Sequence, residues 1–305
     1  MQSQRSAIYR QNKLWQSIIT GCGLLMIILT FSIGFFLCYK GLGTFTTYGH
    51  SVTEFLFSAD WAPKDNAAGG GTVGAAIFIF GSIITCVVAL LIAMPFSIAA
   101  AVFMTEISPR LGTRLLQPTV EIFVGIPSVV YGWIGLTVLV PFIKEFFHLR
   151  FGFSVLAAGI VLAVMIFPTI TSLSADAIRS IPKSYRQASY ALGSTRWQMI
   201  SQVVLPAAFA GLMSAIVLGV ARAFGEALAV AMVIGKMRAF PTSLLAPTNN
   251  LTAAIASDMG GAMEGSEYNI ALWTMALLLF IISLLFIFLI HYFSAKGAMV
   301  GNDSN

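Results

Sequence analysis

Arg222 and Glu226 stand inside an apolar stretch that runs from Leu218 through Gly219, Val220 and Ala221 to Ala227 and Leu228. A guanidinium presents a planar fork of donors that matches the oxygens of phosphate or sulfate, and a nearby carboxylate can position it and weaken an over-tight complex. On a continuous helix the four-residue spacing brings both groups to one face, although Arg before Glu is the weaker order for helix stabilisation. Two uses follow: a self-neutralising pair that locks helices together, or a station for an oxyanion. The chemistry favours the oxyanion.

A second polar feature is Gly125-Ile126-Pro127-Ser128. Proline removes a backbone donor and frees carbonyls, which membrane helices tolerate where protein or a water-filled path satisfies them. Ser128 and Tyr131 can supply hydrogen bonds there, and a packing kink is the other reading. Pro168-Thr169 repeats the theme more weakly. Glu121, nearer the inner interface, is expected to be solvated or paired. Gly69-Gly70-Gly71-Thr72 lacks the lysine and the setting of a P-loop, so any nucleotide is expected on another chain. Cys22, Cys38 and Cys86 form no CxxC pair, and His50, His148 and His291 stand far apart, so neither metal nor cofactor is expected.

The elements that carry these residues follow from composition. Only 10% of the 305 residues are charged and 58% are hydrophobic, against roughly 25% and 45–50% in soluble domains. That excludes disorder, nearly excludes a soluble enzyme, and makes lipid the solvent for most of the chain. The net charge of +5 forms no basic stripe, so nucleic acid is not an expected partner. About 20 apolar residues cross roughly 30 Å of hydrocarbon. Six stretches qualify, at 16–39, 73–104, 118–142, 151–175, 207–235 and 270–294. They are too long and continuous for membrane strands, so the expected fold is all-α with six transmembrane helices. The first follows Arg5, Arg10 and Lys13 but exceeds a signal-peptide core and lacks a small-residue cleavage site.

With the amino terminus inside, ten Lys and Arg fall on the inner side, six on the outer side, and Arg222 within a span. Both termini are therefore expected in the cytoplasm. The organisation reads as a tail at 1–15, a six-helix domain at 16–294 and a tail at 295–305. In the fifth span, Gly211, Ala215, Gly219, Ala223, Ala227, Ala231 and Gly235 make a row of small residues, of which three or four stations can face one neighbour. Two long outer loops, 40–72 and 236–269, hold six acidic residues, Glu54, Asp60, Asp65, Asp258, Glu264 and Glu267. They read equally as solvated linkers or as a docking surface.

The inner loop at 176–205 reads as two short amphipathic helices, one after Pro182 and one carrying Trp197, Ile200 and Val204, with a turn at Gly193. Such helices lie on lipid headgroups or dock a partner. Gln187-Ala188-Ser189, the spacing to Gly193, and Leu205-Pro206 resemble the EAA loop of ABC-transporter permeases, with Gln187 in place of the usual Glu and Ser189 in place of the second Ala. The Gly125–Gly132 segment and Arg222-Ala223-Phe224-Gly225-Glu226-Ala227-Leu228 are similar to those of the PstC-type branch, and the similarity extends from about Gly71 to the sixth span.

The resemblance implies a type I ABC permease fold in a bacterial inner membrane. It also implies a subunit, not itself an enzyme, of an ATP-driven inorganic phosphate importer. Implied partners are a PstA-like permease, a PstB-like ATPase dimer docked on the loop of Gln187, Ala188, Ser189, Gly193, Leu205 and Pro206, a PstS-like phosphate-binding protein, and membrane lipid. Arg222, Glu226, Ser128 and Tyr131 would line the substrate path. An ion-coupled secondary transporter, with Glu226 as proton carrier, is the rival class.

Overall fold

The computed structural model describes residues 2–302. Met1 and 303–305, the extremes of the two expected tails, lie outside the described residues. The long elements are α1 (Gln2–Gly41), α2 (Ala76–Val102), α3 (Gln117–Gly125), α4 (Ser128–Ile134), α5 (Val140–Phe146) and α6 (Val155–Arg179). Then follow α7 (Lys183–Ala191), α8 (Arg196–Gln198), α9 (Leu205–Ala207), α10 (Phe209–Phe224), α11 (Leu228–Val233), α12 (Leu251–Asp258) and α13 (Glu267–Asn302). Wider π-helical turns extend α2 over Phe103–Ile107 and join α4 to α5 and α8 to α9. Among the described residues five helical stretches are long and apolar enough to cross a membrane, or six if the pair bent by 69° around Ala208 is counted as one span.

Two expected spans prove discontinuous. The third breaks where Ile126 and Pro127 turn extended, because Pro127 cannot donate to the preceding turn. The fifth, expected as one helix over 207–235, ends at Phe224 and restarts at Leu228. Its 16-residue first part rises about 24 Å, short of the roughly 30 Å of the hydrocarbon core. By contrast α6 runs unbroken through Pro168, which is buried between its neighbours, and Ser97 of α2 donates to the Phe167 carbonyl at 3.2 Å.

The centre of the bundle is α6, packed along α2 and α10. Small residues allow this: a Cβ at Gly159 would stand 2.4 Å from Val88, and one at Gly219 would stand 2.5 Å from Ile170. Of the small-residue row, Gly211 and Gly219 meet α6 at Ala177 and Ile170, and Ala215 and Ala223 are buried. Four stations therefore work before the helix ends. The apolar core around them includes Ala89, Leu162, Ile166, Ile170 and Val230. Helix α1 stands at the edge with most of its described apolar side chains, from Trp15 onward, exposed, and it packs on α13, where Phe36 meets Trp273 edge-on at 5.2 Å.

The outer segments fold together. Residues 52–57 form a short helix capped by Ser51, and Trp61–Ala62 pair antiparallel with Thr72–Val73. The second outer segment is more than a solvated linker, because Thr248, Asn249, Asn250 and Leu251 are buried and lead into α12. Their polar groups are satisfied: Asn250 caps Ala253, and the Leu251 amide donates to Ser82 at 3.1 Å. Four of the six outer acids hold this cap. Asp65 accepts from Met263 and Ser266, Asp258 meets Arg238 and Tyr268, and Glu54 and Glu267 flank His50.

Candidate functional site

The broken third and fifth spans lie against each other. Gly132 of α4 comes so close to Ala229 of α11 that a Cβ would stand 2.8 Å from its Cα. Tyr131, 9% exposed, sends its hydroxyl back across the first break to the Phe123 carbonyl at 2.8 Å, satisfying an acceptor that the break at Pro127 frees. Ser128 opens α4, and among the described residues no hydrogen bond joins it to either charge.

Arg222 and Glu226 do not share a helical face, because α10 ends between them. Arg222 sits in the last turn of α10, where the carbonyl ends favour a cation, and its Nη1 donates to Thr169 of α6 at 2.7 Å. Glu226 lies in the break and accepts the Ala229 amide at 3.1 Å, while its own carbonyl accepts from Thr252 of α12 at 2.7 Å. Both side chains are half-buried. Each charge is therefore steadied by backbone or hydroxyl groups, and among the described residues no ion pair joins the two. A guanidinium held by a neutral hydroxyl keeps donors for an anion, which a mutually neutralised pair would not.

Glu121 accepts from Gln117 at 3.1 Å, and Gln117 accepts from Arg179, so the acid belongs to a polar chain at the inner rim.

The inner loop forms the two expected helices. Lys183 begins α7 directly after Pro182, and α8 opens with Thr195 and Gln198 in a reciprocal cap. Between them Gly193 adopts φ +77°, a left-handed conformation that glycine takes without strain. Ser189 is buried and bonds Ser194 at 2.5 Å across the turn, which accounts for a hydroxyl where the related pattern has alanine. Gln187 and Ala188 stay exposed, as do Tyr190, Leu192 and Trp197, while Leu205 starts α9 with Pro206 in its first turn. A concave surface of about 570 Å³ lies between the arms, lined by Tyr185, Ala188, Leu192 and Val203.

Thr169, noted in the sequence only beside Pro168, enters these sites, as do two residues that sequence reasoning passed over, Thr252 and Glu106. The last is a buried acid at the inner end of α2 that receives Arg186 at 2.5 Å. The sequence signal for Glu106 was an acid closing an apolar run just before Ser108-Pro109.

A bundle with two broken spans, an arginine and a glutamate in one of them, and a structured inner loop defines a multi-pass membrane permease. The chain belongs to the family described as binding-protein-dependent transport system inner membrane component, which matches residues 93–297. It is 52% identical to the probable ABC transporter permease protein YqgH of Bacillus subtilis, over 96% of each chain. It is 32% identical to the phosphate transport system permease protein PstC of Mesorhizobium japonicum, over 96% of this chain and 94% of that one. Xylella fastidiosa PstC is 33% identical over 90% and 87%. The fold is that of the inward-facing MetNI methionine ABC transporter, with TM-score 0.52 and 20% identity over 81% of this chain and 96% of that chain. It is a type I ABC permease fold in the inner membrane, and such components are transport subunits rather than enzymes.

Proposed function

We propose that the chain is the permease subunit of an ATP-driven importer of inorganic phosphate and forms the translocation path with a second permease. The observation that carries this reading is the half-buried Arg222 guanidinium, in a chain whose full-length relatives are named as phosphate permeases. Arg222 receives phosphate oxygens, and Glu226 keeps the complex weak enough to release. Tyr131 and Ser128 line the adjoining break in the third span. On the inner side Gln187, Ala188, Ser189, Gly193, Leu205 and Pro206 shape the surface that docks a PstB-like ATPase dimer. A PstA-like permease completes the path, and a PstS-like binding protein delivers phosphate to the outer cap.

Alternating access requires that the ATPase discriminate between two permease states, so transport depends on the inner loop as well as on Arg222. Reconstitution of the chain with these partners in proteoliposomes tests the reading. Phosphate uptake that needs both ATP and the binding protein is expected. Uptake that needs neither would mark an ion-coupled secondary transporter.

A further inference from the structure

Glu106 closes the inner end of the second span and is 8% exposed. Arg186 of α7 grips its carboxylate, with Nε at 3.1 and 3.2 Å from the two oxygens and Nη2 at 2.5 Å from one. The same guanidinium donates to the carbonyls of Ile178 at 3.0 Å and Ile181 at 2.7 Å, at the end of α6. From the other arm of the loop, Arg196 donates to the backbone carbonyls of Glu106 and, at 2.7 Å, Ile107. One arginine from each short helix therefore converges on one residue of the second span.

We infer that Glu106, held by Arg186 and Arg196, is the joint through which the inner loop moves α2. It is a positioning residue for transport and lies outside the anion path. A carboxylate gripped by a guanidinium is geometrically stiff, and separating the pair would strand a buried charge, so the two move together. The π-helical turn Phe103–Ile107 puts the joint where the backbone ladder is already widened, a place suited to a change of register. Because α2 packs along α6, a pull at its inner end reaches the core that holds Thr169 and Arg222.

This inference rests on the reading of the loop as an ATPase dock, and the test separates the two. In proteoliposomes holding the assembled complex, phosphate uptake and ATP hydrolysis are measured together for wild type and Glu106→Gln. The variant is expected to keep the ATPase at wild-type stoichiometry and to hydrolyse ATP. Phosphate moved per ATP should fall by about tenfold or more, the size of a typical coupling between sites, and Glu106→Asp should recover part of it. An unchanged ratio would overturn the joint, as would loss of the ATPase, which would make Glu106 a shaper of the docking surface only.

If Glu106→Gln fails to assemble, exposed Arg196 replaced by Gln serves instead, and a wild-type ratio there overturns the joint. Wild-type vesicles that move no phosphate would instead sink the substrate reading. The joint is then decided by a spin label at exposed Leu111. A displacement on ATP binding should appear in wild type and vanish in Glu106→Gln, and equal displacement in both rejects it.

Discussion

Arg222 donates to the hydroxyl of Thr169 at 2.7 Å, joining the end of α10 to the middle of α6 without neutralising the guanidinium. A serine or threonine hydroxyl orients the fork while leaving its charge for a ligand. Replacing Arg222 with Gln is expected to abolish phosphate uptake while membrane insertion and assembly with the partner subunits persist. Uptake at the wild-type rate would remove Arg222 from the path. Thr169→Val should reduce uptake by about tenfold to a hundredfold, since a hydrogen bond to a charged group contributes about 1.5–3 kcal/mol.

The turn between the two inner helices gives a backbone test. Gly193 has open space around it and donates its amide to the Tyr190 carbonyl at 3.0 Å. Gly193→Pro removes that donor and forbids the positive φ, so the ATPase should be lost on co-purification. Gly193→Asn tolerates the left-handed conformation and should retain it. Retention by both variants would reject the docking role of the loop.

His50 makes the outer cap sensitive to pH. Burial lowers its affinity for a proton, but hydrogen bonds to Glu267 at 2.8 Å and Glu54 at 3.3 Å outweigh burial, and its pKa is raised. A raised folded value stabilises the cap fully below the unfolded value of about 6.5, and this contribution is lost as pH rises through the folded value. Limited proteolysis of the 40–72 segment should accelerate as pH rises through that window. His50→Gln should flatten the dependence, and an unchanged profile in the variant would assign it to another group.

The Gly-rich stretch holds an anion belonging to the chain itself. Glu267, 1% exposed, accepts the amides of Gly70 at 3.1 Å and Gly71 at 2.9 Å, that of Lys64 at 2.8 Å, and the His50 ring. Glu267→Gln should weaken the cap by about 1–3 kcal/mol, the cost of disturbing a buried charged acceptor. Hydrogen exchange at the Lys64, Gly70 and Gly71 amides should speed up accordingly, and wild-type protection in the variant would show that the carboxylate does not hold the loop.

The spans were legible because continuous apolar length is a direct requirement of the bilayer, and Gly193 and Pro182 announced the inner turn by backbone chemistry alone. The break after Phe224 was harder to read. Gly225 permits either a helix or a turn, and what decides is tertiary: Thr252 takes the Glu226 carbonyl and α4 covers α11. Pro168 misled in the opposite sense, since packing carried the helix through it. The burial of Thr248, Asn249 and Asn250 was not legible within 236–269, because the contact that anchors the segment, from the Leu251 amide to Ser82, spans 169 residues. Glu106 was hidden for the same reason, as its two arginines lie 80 and 90 residues further on.

The edge position of α1 constrains how the molecule is made. It packs on α13, so among the described residues an early span docks on one that is made more than 200 residues later. During synthesis at about 5–20 residues per second, the first helix must therefore wait in lipid for roughly 10–50 s before the surface it fits has emerged. Insertion of α13 is the step that gathers the waiting helix into the fold.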